Sequence, residues 1–267
     1  MKVKGKVVVV TGAARGIGDA LVRRFAAEGA AAIAVSDRDL PAAQELCGAL
    51  KSTGVRLIAI STDVGAEEQI KALIDEAEST LGPIDLFCSN AGIALGRGLD
   101  ASDKDWERNW SLNVLSHIYA ARYMVPKMIA RGGGYLLNTC SGAGLLANAD
   151  APYMVSKHAA VAFADWLAIK YHGSGIKVSA LCPLGVKTKM LMQGLAAGSP
   201  VAKAVIAGGE VLEPSEVADA VIVGLEKEQF LILPQSVVGL RIVRKAIERE
   251  AWQSDVAKMF AKAASPN

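Results

Sequence analysis

The sequence predicts a single α/β domain, in which helices cover both faces of a doubly wound parallel sheet of seven strands. Short apolar runs alternate with longer amphipathic segments along most of the 267 residues. The apolar runs are continuous, which is typical of strands that are buried on both faces. A regular alternation of such strands with helices favours a parallel sheet with helices on its two sides.

The predicted elements follow one another in a regular order. Strands are predicted over 7–11, 31–36, 55–62, 84–89, 135–140, 177–182 and 230–233. Helices are predicted over 16–28, 40–51, 67–81, 104–131, 152–171 and 215–226. No linker and no internal repeat interrupts this order, so we expect one domain over residues 1–267.

Two segments depart from this order. Residues 185–212 are longer than a crossover needs and carry the apolar side chains Met190 and Met192 among several glycines. Ligands bind beyond the carboxyl ends of parallel strands, so we predict that this segment is a substrate lid; the alternative is a plain surface helix.

Residues 236–263 are amphipathic and mildly basic. They predict a helical extension that packs on the domain or on another subunit, with a membrane-surface helix as the alternative.

The composition limits the function classes. A net charge of +2, with 52% hydrophobic and 21% charged residues, excludes a disordered chain and gives no reason to expect a nucleic-acid partner. The cysteines lie far apart in sequence, so we expect neither a zinc site nor any other metal site, and no disulfide framework. The first apolar run ends at Val10 and is too short for a signal peptide or a membrane span. We therefore expect a cytoplasmic protein without an integral membrane segment.

The segment after the first predicted strand is rich in glycine and opens the first helix. Peptide N–H groups at a helix N-terminus attract a pyrophosphate, and side chains there would block its approach. The spacing GxxxGxG at this place therefore predicts the phosphate-binding turn of a Rossmann-type dinucleotide site. The residues expected to bind there are Gly12, Arg15, Gly16, Ile17 and Gly18.

Asp37 ends the second predicted strand, where a carboxylate would accept hydrogen bonds from the adenosine ribose of a dinucleotide. A 2′-phosphate would meet a negative charge at that position, which favours NAD over NADP. Arg15 and Arg38 flank the site, and either could pair with a phosphate, so NADP stays the alternative. Asp37 could also be no more than a helix N-cap.

A catalytic set is predicted from Ser141, Tyr153 and Lys157. Tyr153 and Lys157 are four residues apart on a predicted helix and share one face, and Ser141 ends the strand before it. Oxidation of an alcohol needs a base for the hydroxyl proton while a hydride leaves carbon. Lowering a tyrosine pKa from ~10 to about 7 requires roughly 4 kcal/mol of selective phenolate stabilisation, which a nearby ammonium and a positive nicotinamide ring can supply. The Ser141 hydroxyl would hold the substrate oxygen.

The spacing Tyr-x-x-x-Lys occurs a second time, at Tyr123 and Lys127. This pair lies late in a long predicted helix, and no serine precedes it at a strand end. We therefore predict that Tyr123 and Lys127 are structural.

With these motifs, residues 5 to about 235 resemble the short-chain dehydrogenase/reductase family, which is NAD(P)-dependent. The resemblance gives Asp63 and Val64 the role of adenine contacts. It places Asn90, Ala91 and Gly92 in a motif that supports the sheet and borders the cofactor. Asn113 matches a helix-kink asparagine that holds a water of the proton relay, and Lys157 matches a lysine that also bonds the nicotinamide ribose.

The segment 183–188 resembles the family's next cofactor-binding stretch. Thr188 matches the threonine that contacts the carboxamide, and Pro183 and Val186 belong to the same cofactor-binding segment. The family usually has glycine after this proline, and Leu184 replaces it. This departure concerns the backbone and the shape of the substrate side, not the cofactor.

The resemblance implies a homotetramer or homodimer in which the helices near 104–131 and 152–171 pair across subunits. The apolar residues around the reacting position predict a secondary alcohol or ketone with a largely apolar body as the small-molecule substrate. The function predicted is NAD-dependent alcohol dehydrogenation. The alternatives are an NADPH-dependent carbonyl reductase and a non-catalytic cofactor-binding protein.

Overall fold

The computed structural model of the protein describes residues 1–96, 98–147 and 150–264. These residues form a seven-stranded parallel sheet in the order β3-β2-β1-β4-β5-β6-β7. The strands are β1 (Val7–Thr11), β2 (Ala32–Asp37), β3 (Arg56–Ser61), β4 (Leu86–Ser89), β5 (Gly134–Thr139), β6 (Ile176–Leu181) and β7 (Leu231–Ile232). The predicted fold class is confirmed.

The first helices follow the prediction closely, with one exception. They are α1 (Gly16–Ala27), α2 (Leu40–Ala49), α3 (Glu67–Leu81), α4 (Asp103–Trp110), α5 (Ser116–Ala130) and α6 (Ala151–Lys170). The exception is the helix predicted over 104–131, in which a π-helical turn, Ser111–Leu115, separates α4 from α5. Such turns widen the helix by one residue and are frequent at functional sites.

The remaining helices follow β6 and β7 in the chain. They are α7 (Lys189–Ala196), α8 (Pro200–Ala207), α9 (Pro214–Glu226), α10 (Val237–Ile247) and α11 (Arg249–Ala264). Among the described residues, no single helix has the length and apolarity to cross a membrane. The pair α7 and α8 meets that test only together, and the two are bent by 117° from one another.

The sheet has a hydrophobic core on each face. Val7 and Val9 of β1 point into the layer that α3, α5 and α6 cover, and Val8 and Val10 point into the layer of α1, α2 and α9. Because successive side chains of a strand alternate between faces, burial on both faces demands an unbroken apolar run. This explains the continuous runs in the sequence.

The strand order reverses between β1 and β4, and a ligand crevice is expected beyond the carboxyl ends of the strands at such a point. Strands β1, β4, β5 and β6 end there side by side. Their ends bring the glycine turn, residues 90–92, Ser141 and the segment 183–188 to one edge of the sheet.

Candidate active site

The glycine turn connects β1 to α1 and lies against the segment that follows β4. Gly12 has φ of +61°, a left-handed conformation, and a Cβ there would come within 2.8 Å of the Cα of Ala91. Only glycine satisfies both conditions without strain. Gly16 and Gly18 lie in the first turn of α1, and Ile17 packs against the core layer beside them.

The N-terminus of α1 fits a pyrophosphate. In the part of the chain that the structure describes, no side chain caps the amides of its first turn, and Arg15 at the N-cap position is extended. Helix N-termini leave four N–H groups without an intrahelical acceptor, and the helix dipole adds positive potential there. The residues present therefore fit a dinucleotide phosphate group.

Asp37 ends β2 beside the glycine turn. One carboxylate oxygen accepts a hydrogen bond from the Ala14 amide at 3.0 Å, and the other accepts from the Asp39 amide at 3.0 Å. Asp39, not Asp37, is the N-cap of α2, since its side chain accepts from the Ala42 amide at 3.3 Å. The alternative that Asp37 is only a helix cap is therefore wrong.

The arginines that flank Asp37 differ in their surroundings. Arg15 forms an ion pair with Asp39, which occupies its guanidinium. Arg38 is exposed, and its positive charge contributes to the low pKa of Asp63. Asp39 was not predicted from the sequence, although an aspartate two residues before Pro41 is a recognisable cap signal.

Asp63 and Val64 follow β3 at the same edge of the sheet, and Val64 is buried. Burial by itself would raise the pKa of Asp63. Hydrogen bonds from the Gly65 amide at 2.9 Å and from Arg108 at 3.1 Å outweigh it and hold the pKa below its ordinary value. Arg108 comes from α4, and no local sequence signal pointed to it.

Asn90 connects the strands of the site. Its side-chain amide donates to the carbonyls of Thr11 at 3.0 Å and Gly12 at 3.3 Å, and its oxygen accepts from Thr139 at 3.1 Å. The Thr11 hydroxyl accepts from the amides of Asn90 and Ala91. The motif at 90–92 thus fixes β1, β4 and β5 relative to one another. Thr11 and Thr139 were not identified from the sequence.

Ser141, Tyr153 and Lys157 lie together at this edge. The Ser141 hydroxyl lies beside the Tyr153 hydroxyl, and it accepts a hydrogen bond from the Ala143 amide at 3.1 Å. Lys157 Nζ lies 5.9 Å from the centre of the Tyr153 ring and donates to the Thr139 carbonyl at 2.9 Å. Gly92 lies beside Lys157 Nζ.

Burial governs the proton affinity of this group. Burial raises the pKa of Tyr153, and the neighbouring Ser141 hydroxyl partly offsets that rise. Burial lowers the pKa of Lys157, because a buried ammonium loses hydration. Among the described residues, Lys157 forms no ion pair with a carboxylate. Its positive charge is therefore not neutralised beside the phenol.

Asn113 lies in the π-helical turn and is fully buried. Its amide group donates to the Ile93 carbonyl at 2.9 Å and to Ser156 at 3.0 Å, and its oxygen accepts from the Ile93 amide at 2.9 Å. Ser156 in turn donates to the Tyr153 carbonyl at 2.8 Å. Asn113 therefore joins the chain after β4 to the helix that carries Tyr153.

The segment 183–188 runs from β6 back to the glycine turn. The Pro183 carbonyl accepts from the Gly142 amide at 2.7 Å, Val186 is buried, and Thr188 contacts Gly16 and caps α7. Gln235, buried and far away in sequence, accepts from the Leu184 amide at 3.0 Å and donates to the Gly185 carbonyl at 2.8 Å. Gln235 was missed because nothing local marks it.

A groove of about 760 Å³ extends from Gly16 and Thr188 between α1 and α9. Several of its basic side chains are paired with carboxylates, as Arg23 is with Asp19. Neither Ser141, Tyr153 nor Lys157 lines it. The chemistry is therefore expected at the sheet edge and not in this groove.

Three features define a Rossmann-type oxidoreductase site. They are a parallel sheet whose strand order reverses at β1 and β4, a glycine turn at a helix N-terminus, and a Ser-Tyr-Lys group at the same edge of the sheet. The family model described as short chain dehydrogenase matches residues 6–197. The chain belongs to the short-chain dehydrogenase family. A curated relative is 1-deoxy-11-beta-hydroxypentalenate dehydrogenase of Streptomyces exfoliatus. It is 34% identical over 248 residues, which cover 91% of this chain and 87% of that protein.

Solved structures of the family match over most of the chain. A short chain dehydrogenase/reductase from Burkholderia phymatum in complex with NAD has a TM-score of 0.85 at 27% identity, covering 94% of this chain and 96% of that one. L-sorbose reductase from Gluconobacter frateurii, complexed with NADPH and L-sorbose, has a TM-score of 0.78 at 26% identity, covering 87% and 97%. The predicted family, and with it a nicotinamide dinucleotide as the cofactor of the family, is confirmed.

Proposed function

We propose that the protein transfers a hydride between NAD(H) and a secondary alcohol or ketone with a largely apolar body, with Tyr153 as the general acid and base. The observation that carries this proposal is the contact of Tyr153 with Ser141 while the ammonium of Lys157 lies 5.9 Å from the tyrosine ring. This group stands at the same sheet edge as the uncapped N-terminus of α1.

In the direction of oxidation, the substrate hydroxyl takes the place between Ser141 and Tyr153. The Tyr153 oxygen accepts the hydroxyl proton, and the Ser141 hydroxyl orients the substrate oxygen by hydrogen bonding. The bound dinucleotide supplies the hydride acceptor and, when oxidised, a positive charge. Reduction uses the same residues in reverse, with a protonated Tyr153 as the acid.

Lys157 makes this proton transfer feasible. Burial raises the pKa of Tyr153, so an opposing interaction has to stabilise the phenolate. An ammonium that forms no ion pair in the described residues acts at close range in a poorly hydrated site, where charges interact more strongly than in water. We assign Asn113 to hold the helix of Tyr153 in place; its expected water contact stays a prediction.

NAD is the preferred dinucleotide in this proposal. The Asp37 carboxylate stands at the end of β2 with two amides as donors, ready to accept from ribose hydroxyls and to repel a 2′-phosphate. Arg15 is held by Asp39 and does not offset this charge. The exposed Arg38 is the observation that supports the second candidate, an NADPH-dependent carbonyl reductase.

The test compares NAD and NADP with a panel of secondary alcohols and ketones, followed by the absorbance of the reduced nicotinamide. We expect turnover with NAD to exceed turnover with NADP. The Asp37→Ala variant is expected to raise the NADP/NAD ratio of kcat/KM about ten-fold, which corresponds to about 1.4 kcal/mol. Glu45→Ala is the matched control, because it removes a carboxylate that is exposed on α2. A chain that turns over no carbonyl or alcohol with either dinucleotide would overturn the proposal.

The oligomeric state and the location in the cell stay predictions. Trp166 and Ile169 are exposed apolar side chains on α6, and Trp110 is exposed on α4. They support pairing of these helices across subunits in a homodimer or homotetramer, which sedimentation of the purified protein would measure. The lid role of residues 185–212 is also a proposal, supported by the exposed Met190 and Met192 on α7.

A further inference from the structure

The two C-terminal helices lie next to the predicted substrate side of the site. Helix α11 packs on α8, and a cavity of about 240 Å³ remains between them. Its apolar lining includes Leu146, Leu184, Val205, Trp252, Met259 and Phe260. Trp252 is buried, although most of its neighbours on α11 are exposed. Its side chain therefore forms part of the cavity lining.

Part of the cavity lining contacts the turn that follows Ser141, although Ser141, Tyr153 and Lys157 do not themselves line the cavity. Leu184 lies directly on Gly142, the residue after Ser141, since a Cβ at Gly142 would come within 2.4 Å of Leu184 Cδ2. Val205 of α8 lies near Gly185, since a Cβ at Gly185 would come within 3.0 Å of Val205 Cγ1. Leu146, Trp252 and Leu184 belong to one apolar cluster. The wall of the cavity is thus continuous with the turn that holds Ser141.

Lys245 fixes the C-terminal helices to that turn. Its Nζ donates to the carbonyls of Leu145 at 2.7 Å and Leu146 at 3.1 Å, and lies 5.4 Å from the centre of the Trp252 ring. An ammonium that joins two loop carbonyls and an aromatic face orders all three parts. The position of α10 and α11 is therefore coupled to the chain segment that follows Ser141.

Four charged side chains also line the cavity, namely Glu210, Arg241, Arg244 and Asp255. Arg244 pairs with Asp255 at 2.6 Å, and Arg241 donates to the Gly208 carbonyl. The Arg244–Asp255 pair therefore presents no unpaired charge to a ligand, and the rest of the lining is largely apolar. The volume is below the roughly 300–1,000 Å³ of a pocket for a whole drug-sized ligand, so it suits a part of a molecule.

We propose that this cavity receives the apolar part of the substrate that is remote from the reacting carbon, and that Val205 and Trp252 determine how large that part can be. The inference rests on the proposed function and adds to it the place where the apolar body of the secondary alcohol or ketone binds and the residues that limit its size. The C-terminal helices then select the substrate and do not merely cover the domain.

The test uses Val205→Phe to fill the cavity from α8, with butan-2-ol and octan-2-ol as probes that share one reacting centre. We expect kcat/KM for octan-2-ol to fall at least about ten-fold, while butan-2-ol and the affinity for NAD stay within about two-fold. Ile206→Phe is the matched control. It adds the same ring to the neighbouring position of α8, where the side chain is exposed and does not line the cavity.

A second variant, Trp252→Ala, enlarges the cavity and is expected to shift the preference towards substrates longer than octan-2-ol. Circular dichroism and NAD affinity confirm that each variant is folded. Equal effects of Val205→Phe and Ile206→Phe on octan-2-ol, in an enzyme whose wild type oxidises both alcohols, would overturn this inference alone. Absence of turnover of both alcohols and of the wider panel by the wild type would overturn the proposed function, and this inference with it.

Discussion

The same spacing, Tyr-x-x-x-Lys, occurs in two helices of this protein with opposite consequences. In α6, Tyr153 contacts Ser141, and Lys157 donates to a backbone carbonyl. In α5, the Tyr123 hydroxyl donates to Glu67 at 3.2 Å, and Lys127 donates to Glu78 at 2.8 Å. The first pair faces the carboxyl ends of the strands, and the second faces the carboxylates of α3.

Neighbouring carboxylates make the difference. Hydrogen bonding and charge from Glu78, with a further contribution from Asp75, raise the pKa of Lys127, whereas burial lowers the pKa of Lys157. An ammonium already neutralised by carboxylates has little positive charge left to stabilise a phenolate. Burial and the neighbouring Glu67 raise the pKa of Tyr123, so its hydroxyl is a weaker acid than that of a free tyrosine and holds its proton. Spacing on a helix therefore defines a pair, and the surroundings define its chemistry.

The largest expected effect is that of Tyr153→Phe. Removing the hydroxyl that exchanges the proton should lower kcat by about 10²–10⁴-fold, the usual contribution of general acid–base catalysis. NAD affinity, measured by calorimetry, should change only a few-fold, since the ring remains. Tyr123→Phe is the matched control and should keep full activity. Undiminished turnover in Tyr153→Phe would mean that the base is another group.

Lys157→Met is expected to lower both the rate and the affinity for NAD. Oxidation needs a deprotonated Tyr153, so the rate rises with pH through the pKa of that group. Loss of the ammonium raises this pKa, and the rising limb of the pH–rate profile should move to higher pH by on the order of one unit. Lys157→Arg keeps the charge and should shift the limb less. An unmoved limb in Lys157→Met would contradict the assigned role.

The smallest effect is expected from Lys127→Met. Activity should stay within about two-fold, and the free energy of unfolding should fall by less than about 1 kcal/mol, as is typical of exposed ion pairs. The pKa of Glu78 is held low in the folded state: burial raises it, but the bonds from Lys127 and Arg131 outweigh this. Its stabilisation is therefore present above its unfolded pKa and is lost as pH falls through the folded pKa. Urea unfolding at neutral and acidic pH should show a smaller loss on acidification in the variant, and an unchanged acid dependence would argue against the ion pair.

The parts of the site that follow from local chain order could be predicted. The glycine turn, Asp37 at the end of β2 and Ser141 after β5 occupy fixed places relative to strands, and strands are visible as apolar runs. The contacts of Asp63 with Arg108, of Leu184 with Gln235 and of Leu146 with Lys245 could not be predicted. Each contact joins segments that are far apart in the chain. The periodicity of apolar residues does not predict which distant polar side chains will come into contact.

Hydrophobic patterning and glycine placement, which act within a few residues of chain, determined the doubly wound sheet and the turn at α1 without any knowledge of the folded molecule. Packing decided that the Tyr-Lys pair of α6 lies away from carboxylates and that the pair of α5 contacts them. The chemistry of the two pairs differs for that reason, because charge interactions depend on distance through space and on burial. Packing likewise placed Trp252 and Val205 on two sides of one cavity. Their positions in the sequence do not predict that the two side chains lie close together.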